Sequence, residues 1–412
     1  MSQAAKRLLV DRVAAVAVQL VREQVGRGKR VEADRDDPLT VDGDELERRG
    51  LVVLELEIVP ADSELKPDVA TRRANDLLLS EKVDFLAVNT GSNIAKAVSQ
   101  VASQAKKVFF ATGAEASELT GEEFFDTSFR CCLNTDMHSA ELAIYFAKMT
   151  PQKYTKFYLL NEDYNFGRAA ADGFKKKFNK IKAANQTIVG DEYHPLQKVQ
   201  DFAPYITKIM ASGAEIVMTG DWGQDLKLFL QQGAALGWKV KVGNYFLDDP
   251  LVMQTVGKAG VGHITADAYL STVDTKENHE FIKAWRARYP DAPISYKYPT
   301  LTCARVTNAT IWVGDVIKRA GSLDTDKLIK AWEGSKFKTV WGAEAEMRAC
   351  DHQMLTQGYG ILKATSTEDG KQMSSIEVTS LERGTPPDAA FAPPPGYTEK
   401  NKGDMMGHGR RP

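Results

Sequence analysis

Val83 to Thr112 reads VDFLAVNTGSNIAKAVSQVASQAKKVFFAT: an apolar run, an amphipathic run and a second apolar run. Runs such as VDFLAVNT and KVFFAT are apolar at nearly every position, as strands covered on both faces must be. The stretch between them, from Ser92 to about Lys106, carries apolar residues at helical spacing. Strand, helix and strand in this order make a βαβ unit, which predicts a parallel sheet flanked by helices.

The same rhythm extends in both directions. Upstream, Leu51 to Val59 reads as a strand and Asp68 to Ser80 as a helix. Downstream, a second unit alternates helix 139–149, strand KFYLL, helix 165–180, strand QTIVGDEYH, helix 202–212, strand EIVMTG, helix 224–236 and strand KVKVGNYF. A strand at 263–270, helices at 278–289 and 299–320, and an amphipathic segment at 325–333 follow. These exceed what one lobe needs, so some are expected to return to the first. The chain therefore reads as an α/β protein of two lobes.

At 412 residues, with 43% hydrophobic and 26% charged side chains, it can bury two cores. A net charge of -2 offers no basic footprint for nucleic acid. The apolar run Val13 to Val21 is too short to span a bilayer and lacks a small-x-small cleavage site. Residues 1–50 are Arg-rich where the rest is Lys-rich, so they read as an atypical N-terminal segment, with Arg27 to Arg49 the least fold-like part. Residues 384–412, with the APPPGY run, read as a disordered tail. Cys131, Cys132, Cys303 and Cys350 have neither disulfide nor metal spacing and read as buried, inert thiols.

In an open parallel sheet, ligands bind beyond the carboxyl ends of the strands. That rule selects five loops. NTGSN places Ser92 and Asn93 at a helix start, where either side chain can cap and free N–H groups can face an anion. ATGAEASELTG places small residues, with Gly113, Ala114 and Glu115, where backbone can approach a ligand. Tyr164 in EDYNFG, Asp221 and Trp222 in TGDWGQD, and Tyr245 and Asp248 in NYFLDDP supply rings, hydroxyls and carboxylates. Each has a plain structural alternative: an ordinary cap, a solvated acid, a half-buried ring or a turn aspartate.

No G-x-S-x-G elbow, phosphate-binding loop, G-x-G-x-x-G or HExxH occurs, so no enzymatic machinery, metal site or cofactor is expected. His138, His194, His263, His279 and His352 are scattered and read as structural.

From about Leu51 to Lys363 the chain resembles the branched-chain amino-acid-binding proteins, which have the two-lobed type I periplasmic binding fold. The resemblance rests on ELEIVPADSELKPDVATRRANDLL, VDFLAVNTGSN, VFFATGAEASELTG, KFYLLNEDYNFGRAAADGFK and VWGAEAEMRACDHQ. It implies residues 51–136 plus 268–347 as lobe 1 and 137–267 plus 348–383 as lobe 2, joined by a hinge of several crossing segments. It also implies a monomeric, periplasmic component of an importer that works with separate permease and ATPase subunits. Ser92 and the 113–115 turn would hold a ligand carboxylate, Tyr164 would close over it, and Asp221, Trp222 and Tyr245 to Asp248 would line the cleft. Glu115 stands where the family often has a hydroxyl residue, and Tyr245 where its ammonium-binding glutamate is expected. The family's first strand, leader and first-lobe cysteines have no match in Met1 to Gly50, which a shifted reading frame would explain. Amino-acid-like or amide-like solutes, urea and small aromatic acids are the implied ligand classes. A ligand sensor of the same fold, without a transport role, is the alternative.

Overall fold

The computed structural model describes residues 15–20, 56–149, 153–249, 252, 255–291, 297–356, 360–365 and 375–381. The Arg27 to Arg49 segment, Leu51 to Glu55 and the tail 384–412 lie outside the described residues.

The first sheet is built from β1 (Ala15–Leu20), β2 (Leu56–Ala61), β3 (Phe85–Val88), β4 (Val108–Ala111) and β5 (Ser128–Arg130), in the order β2-β1-β3-β4-β5. Helices α1 (Pro67–Leu79) and α2 (Ser92–Gln104) lie between the strands in sequence. β3, β4 and β5 are parallel, while β1 runs antiparallel to both β2 and β3. That reversal departs from the parallel sheet expected, because strand direction depends on connections that apolar patterning does not record.

The second sheet holds β6 (Lys156–Glu162), β7 (Thr187–His194), β8 (Ile216–Met218), β9 (Lys241–Asn244) and β10 (Ile264–Asp267), all parallel. Helices α3 (Thr135–Ile144), α4 (Asn165–Ile181), α5 (Ala203–Ala211) and α6 (Gly223–Ala235) alternate with these strands, and a π turn (Tyr145–Met149) extends α3. Downstream come α7 (Lys276–Arg288), α8 (Leu301–Ala320), α9 (Thr325–Trp332) and a small antiparallel sheet of β11 (Lys336–Lys338), β12 (Glu344–Met347) and β13 (Met354–Thr356). The chain then adds β14 (Gly360–Thr365), antiparallel to β10, and β15 (Ser375–Leu381) to the second sheet.

Period-two alternation sorts each buried strand between two cores. Phe85, Val108 and Phe110 face α8 and α9 through Trp312 and Trp332, whereas Leu86, Val88 and Phe109 face α1 and α2. In the second sheet Phe157 and Leu159 face α3 and α4, while Tyr158 and Leu160 face α5 and α6. Thus α8 and α9 pack on the first sheet although they follow the second. Met354 also packs in the first core, so passage to β14 begins after Thr356 rather than at Arg348. The chain crosses between the sheets after β5, after β10 and after β13.

Neither Ser92 nor Asn93 caps α2: the cap is Gly91, which has no side chain to accept a bond, and Ser92 is the first helical residue. Asn134, Thr275, Thr300 and Asp324 do cap their helices through side-chain oxygens. Cys131 and Cys132 are buried, but Cys350 is exposed, contrary to the expectation of inert burial, because it lies in the turn between β12 and β13.

Candidate functional site

The strand ends of both lobes converge where the chain crosses between sheets. On the first lobe, the buried Ser92 hydroxyl accepts the backbone N–H groups of Glu115 and Ala116, at 3.1 and 3.0 Å. The start of α2 is thereby tied to the loop after β4. Gly113 is required there, since a Cβ would stand 2.8 Å from the Asn89 side chain and 3.1 Å from its carbonyl carbon. Arg130, fully buried, donates to the carbonyls of Ala114 and Ala116 at 3.3 and 2.8 Å and braces the same loop from below.

On the second lobe, Tyr164 and Trp222 occupy the residues just before α4 and α6, and the indole N–H donates to the Tyr164 hydroxyl at 2.9 Å. Burial pushes the Tyr164 phenol up, so its proton remains available to donate. Phe246 packs against the same apolar cluster as both rings, its own ring centre 6.2 Å from that of Tyr245. The two lobes meet at this edge, where the Asn165 amide donates to Glu118 at 2.8 Å.

Beneath these groups lies a buried charge cluster. Glu115 and Asp267 each bind one end of the Arg305 guanidinium, and His138 Nε2 lies 3.1 Å from Glu115 and 3.6 Å from Asp267. His138 Nδ1 is 2.8 Å from the carbonyl of Ala266, so it carries a proton. Nε2 faces carboxylates and must carry one too, which makes the ring an imidazolium. Burial opposes that charge, but Glu115 and Asp267 outweigh it and raise the His138 pKa. Burial also works to raise the Glu115 carboxyl, yet Arg305 and His138 hold it down at about 2. Asp267, farther from His138, is raised by burial more than Arg305 lowers it. Two anions and two cations cancel inside the cluster.

Glu115, His138 and Asp267 are also close enough together to hold a metal ion. Here the cation they share is Arg305. His138, read as structural, is thus at the centre of the site. His194 pairs with Asp221 at 2.8 Å, and His263 accepts the Val242 N–H at 3.1 Å.

Of the residues selected by the strand-end rule, Ser92, Gly113, Ala114, Glu115, Tyr164, Trp222 and Tyr245 converge here. Tyr245 bonds Ser139 at 2.7 Å, and its ring centre is 4.8 Å from that of His138. Asn93 presents a side-chain oxygen that is buried without a partner. Asp221 turns away to His194, and Asp248 accepts the Leu301 N–H at 3.1 Å, at the start of α8. Arg130, His138, Asp267 and Arg305 were missed. Asp267 ends a strand and so had a usable signal; Arg305 lies in the second turn of α8, within the helix, and had none.

Burial, then the Asp267 charge, pushes Asp248 up to about 7. Between its ordinary value of 3.8 and 7, the unfolded chain loses this proton while the folded one keeps it, so stability falls as pH rises through that window. Asp248→Asn keeps an oxygen for Leu301 but cannot ionise. Urea unfolding at pH 5 and pH 8 is expected to show a smaller loss in this variant than in the wild type; an equal loss would place the titration elsewhere. Glu115 acts in the opposite sense, its contribution being present above its ordinary value and lost as pH falls toward 2.

Two α/β lobes joined by crossing segments, with strand-end loops of both brought together, define the type I periplasmic binding fold. The sequence model of that family, described as periplasmic binding protein, matches residues 49–371, and the chain belongs to the family. Leu/Ile/Val-binding protein homolog 4 of Brucella abortus (strain 2308) is 28% identical over 251 residues, covering 58% of this chain and 56% of that protein. The chain thus spans about half the length of that curated relative. Homolog 1 from the same strain is 24% identical over 303 residues, covering 71% of this chain and 75% of its own. Among solved structures, a leucine-, isoleucine-, valine-, threonine- and alanine-binding protein from Brucella ovis, in a closed conformation, matches with a TM-score of 0.67 and 22% identity, covering 79% of this chain and 85% of that one. A solute-binding protein of an ABC transporter from Rhodopseudomonas palustris BisB5, in complex with 3,4-dihydroxybenzoic acid, matches with a TM-score of 0.68 and 22% identity, covering 82% and 91%. At these identities the likeness to solved structures speaks for the fold.

Proposed function

We propose that this protein is the extracytoplasmic solute-binding component of an ATP-driven importer, closing as a monomer on a small amino-acid-like or amide-like solute without transforming it. The observation that carries the reading is the pairing of hydroxyl and amide donors on one lobe with an aromatic pair on the other. Ser92 already accepts two N–H groups, so its own proton is free for a ligand oxygen. Tyr164 and Trp222 supply the opposite wall. A ligand touching both faces favours the closed form by its differential affinity, and a separate membrane permease, driven by a separate ATPase, would read that form.

A second reading, small aromatic acids, is favoured by the Tyr164, Trp222, Phe246 and Tyr245 rings, since stacked or edge-on aromatic contacts suit a flat ligand. Several neighbours of the same fold are complexes with hydroxybenzoates.

A thermal-shift screen of the full chain against amino acids, amides, urea and aromatic acids tests the proposal. A specific ligand raises the melting temperature by mass action. Ser92→Ala is expected to weaken binding by about tenfold, the ordinary worth of a hydrogen bond to a charged group, and Tyr164→Phe is expected to weaken it without disturbing the loop after β4. A folded protein that responds to no solute in any class would refute the reading.

A further inference from the structure

The carboxylates of Glu115, Glu118, Glu162, Asp221, Asp248 and Asp267 each engage a group of the protein through at least one oxygen, although Oε2 of Glu162 and Oδ1 of Asp221 are buried without a hydrogen-bond partner. Glu115 and Asp267 neutralise Arg305 and His138. Asp221 binds His194, Asp248 accepts from Leu301, and Glu118 accepts from Asn165. Glu162 is fully buried against Asp221 and Asp225, and burial followed by their repulsion raises its carboxyl well above the usual range, which keeps it uncharged. Its Oε1 accepts from Gln197 at 3.0 Å, and its Oε2 is buried without a hydrogen-bond partner. A ligand ammonium entering here would lose its water and find each of these carboxylates already bonded within the protein. Donors, by contrast, are in supply: the Ser92 and Tyr164 hydroxyl protons and the start of α2, which no side chain caps.

Resting on the reading of the cleft as a solute site, we propose that it takes small monocarboxylates without a charged amino group, and that Arg305 sets this specificity by filling the acidic recess a ligand ammonium would need. Arg305 acts through Glu115 and Asp267 rather than by touching the ligand. Its guanidinium satisfies both carboxylates at once, which a ligand ammonium could match only by displacing a covalently anchored competitor.

The test compares ligands that differ only in the amino group, by titration calorimetry on the full chain: leucine against 4-methylpentanoate, and phenylalanine against 3-phenylpropanoate. The des-amino acid of at least one pair is expected to bind about tenfold tighter or more, the scale on which an unpaired buried charge is rejected. An amino acid binding as tightly as its des-amino partner overturns the proposal while leaving the solute-binding reading intact. The same holds if amides or urea bind and no carboxylate does. Silence from every acid, amide, urea and aromatic probe overturns both. Arg305→Met removes the cation, leaves Glu115 paired with His138 and leaves Asp267 without its guanidinium counter-charge. If it folds by circular dichroism, its preference is expected to shift toward the amino acid; an unshifted preference removes Arg305 from the role. The wild-type comparison decides the ligand class whether or not that variant folds.

Discussion

Arg305→Met is expected to lower the free energy of unfolding by about 3–5 kcal/mol, the usual cost of breaking a buried ion pair from one side. Arg305 is 3% exposed and its two acidic partners are no more exposed than that, so neither carboxylate can turn to water when the guanidinium is gone. Glu115 would keep His138 as a partner, but Asp267 would depend on the backbone N–H of Ala268 and the more distant imidazole. The cost comes from stranded anions rather than from lost packing, since methionine fills most of the same channel. Urea unfolding followed by circular dichroism checks it. Arg305→Met combined with Glu115→Gln and Asp267→Asn is expected to recover most of the loss, because neutral groups need no counter-charge. A loss below about 1 kcal/mol for the single variant, inside the range of exposed ion pairs, would mean that water reaches the cluster.

Gly167→Ala is expected to cost about 3 kcal/mol, the upper part of what overpacking ordinarily costs. Gly167 lies in the first turn of α4, and a Cβ there would stand 2.0 Å from the carbonyl oxygen of Glu162, at the end of β6. That oxygen is backbone and already accepts the N–H of Tyr164 at 2.9 Å, so no flexible side chain can yield. The helix start must move, carrying Tyr164 and Asn165 away from the opposite lobe. The variant is therefore expected to lose ligand affinity as well as stability, in contrast to a core truncation such as Trp312→Ala, which lies on the far face of the first sheet. Calorimetry beside urea unfolding separates the two. A destabilised variant that binds as well as wild type would show that α4 absorbs the added carbon without shifting its first turn.

The elements legible in the sequence were those whose side chains face two cores or one. VDFLAVNT and KFYLL could hardly be other than doubly covered strands, and β3 and β6 do sort their side chains between two cores. Ser92, Gly113, Tyr164 and Trp222 were reachable because a strand end followed by a helix start is visible in one dimension. The capping role assigned to Ser92 or Asn93 failed because a serine near a helix start reads alike at the cap and one residue later, and here Gly91 holds the cap while Ser92 ties down the loop of Glu115. The short strands β5, β11, β12 and β13 carry too few residues for a period to show.

Sequence alone determined the α/β class and the strand-to-helix loops, because burial patterning is local and repeats every two or 3.6 residues. Only the tertiary structure decided the direction of β1 and β14 and the charge cluster at the crossing. Glu115 and Arg305 are 190 positions apart, and a charge in a helix signals a buried partner only when folding has brought that partner within reach. Desolvation, which makes the four groups depend on one another, is a property of the packed interior and has no trace along the chain.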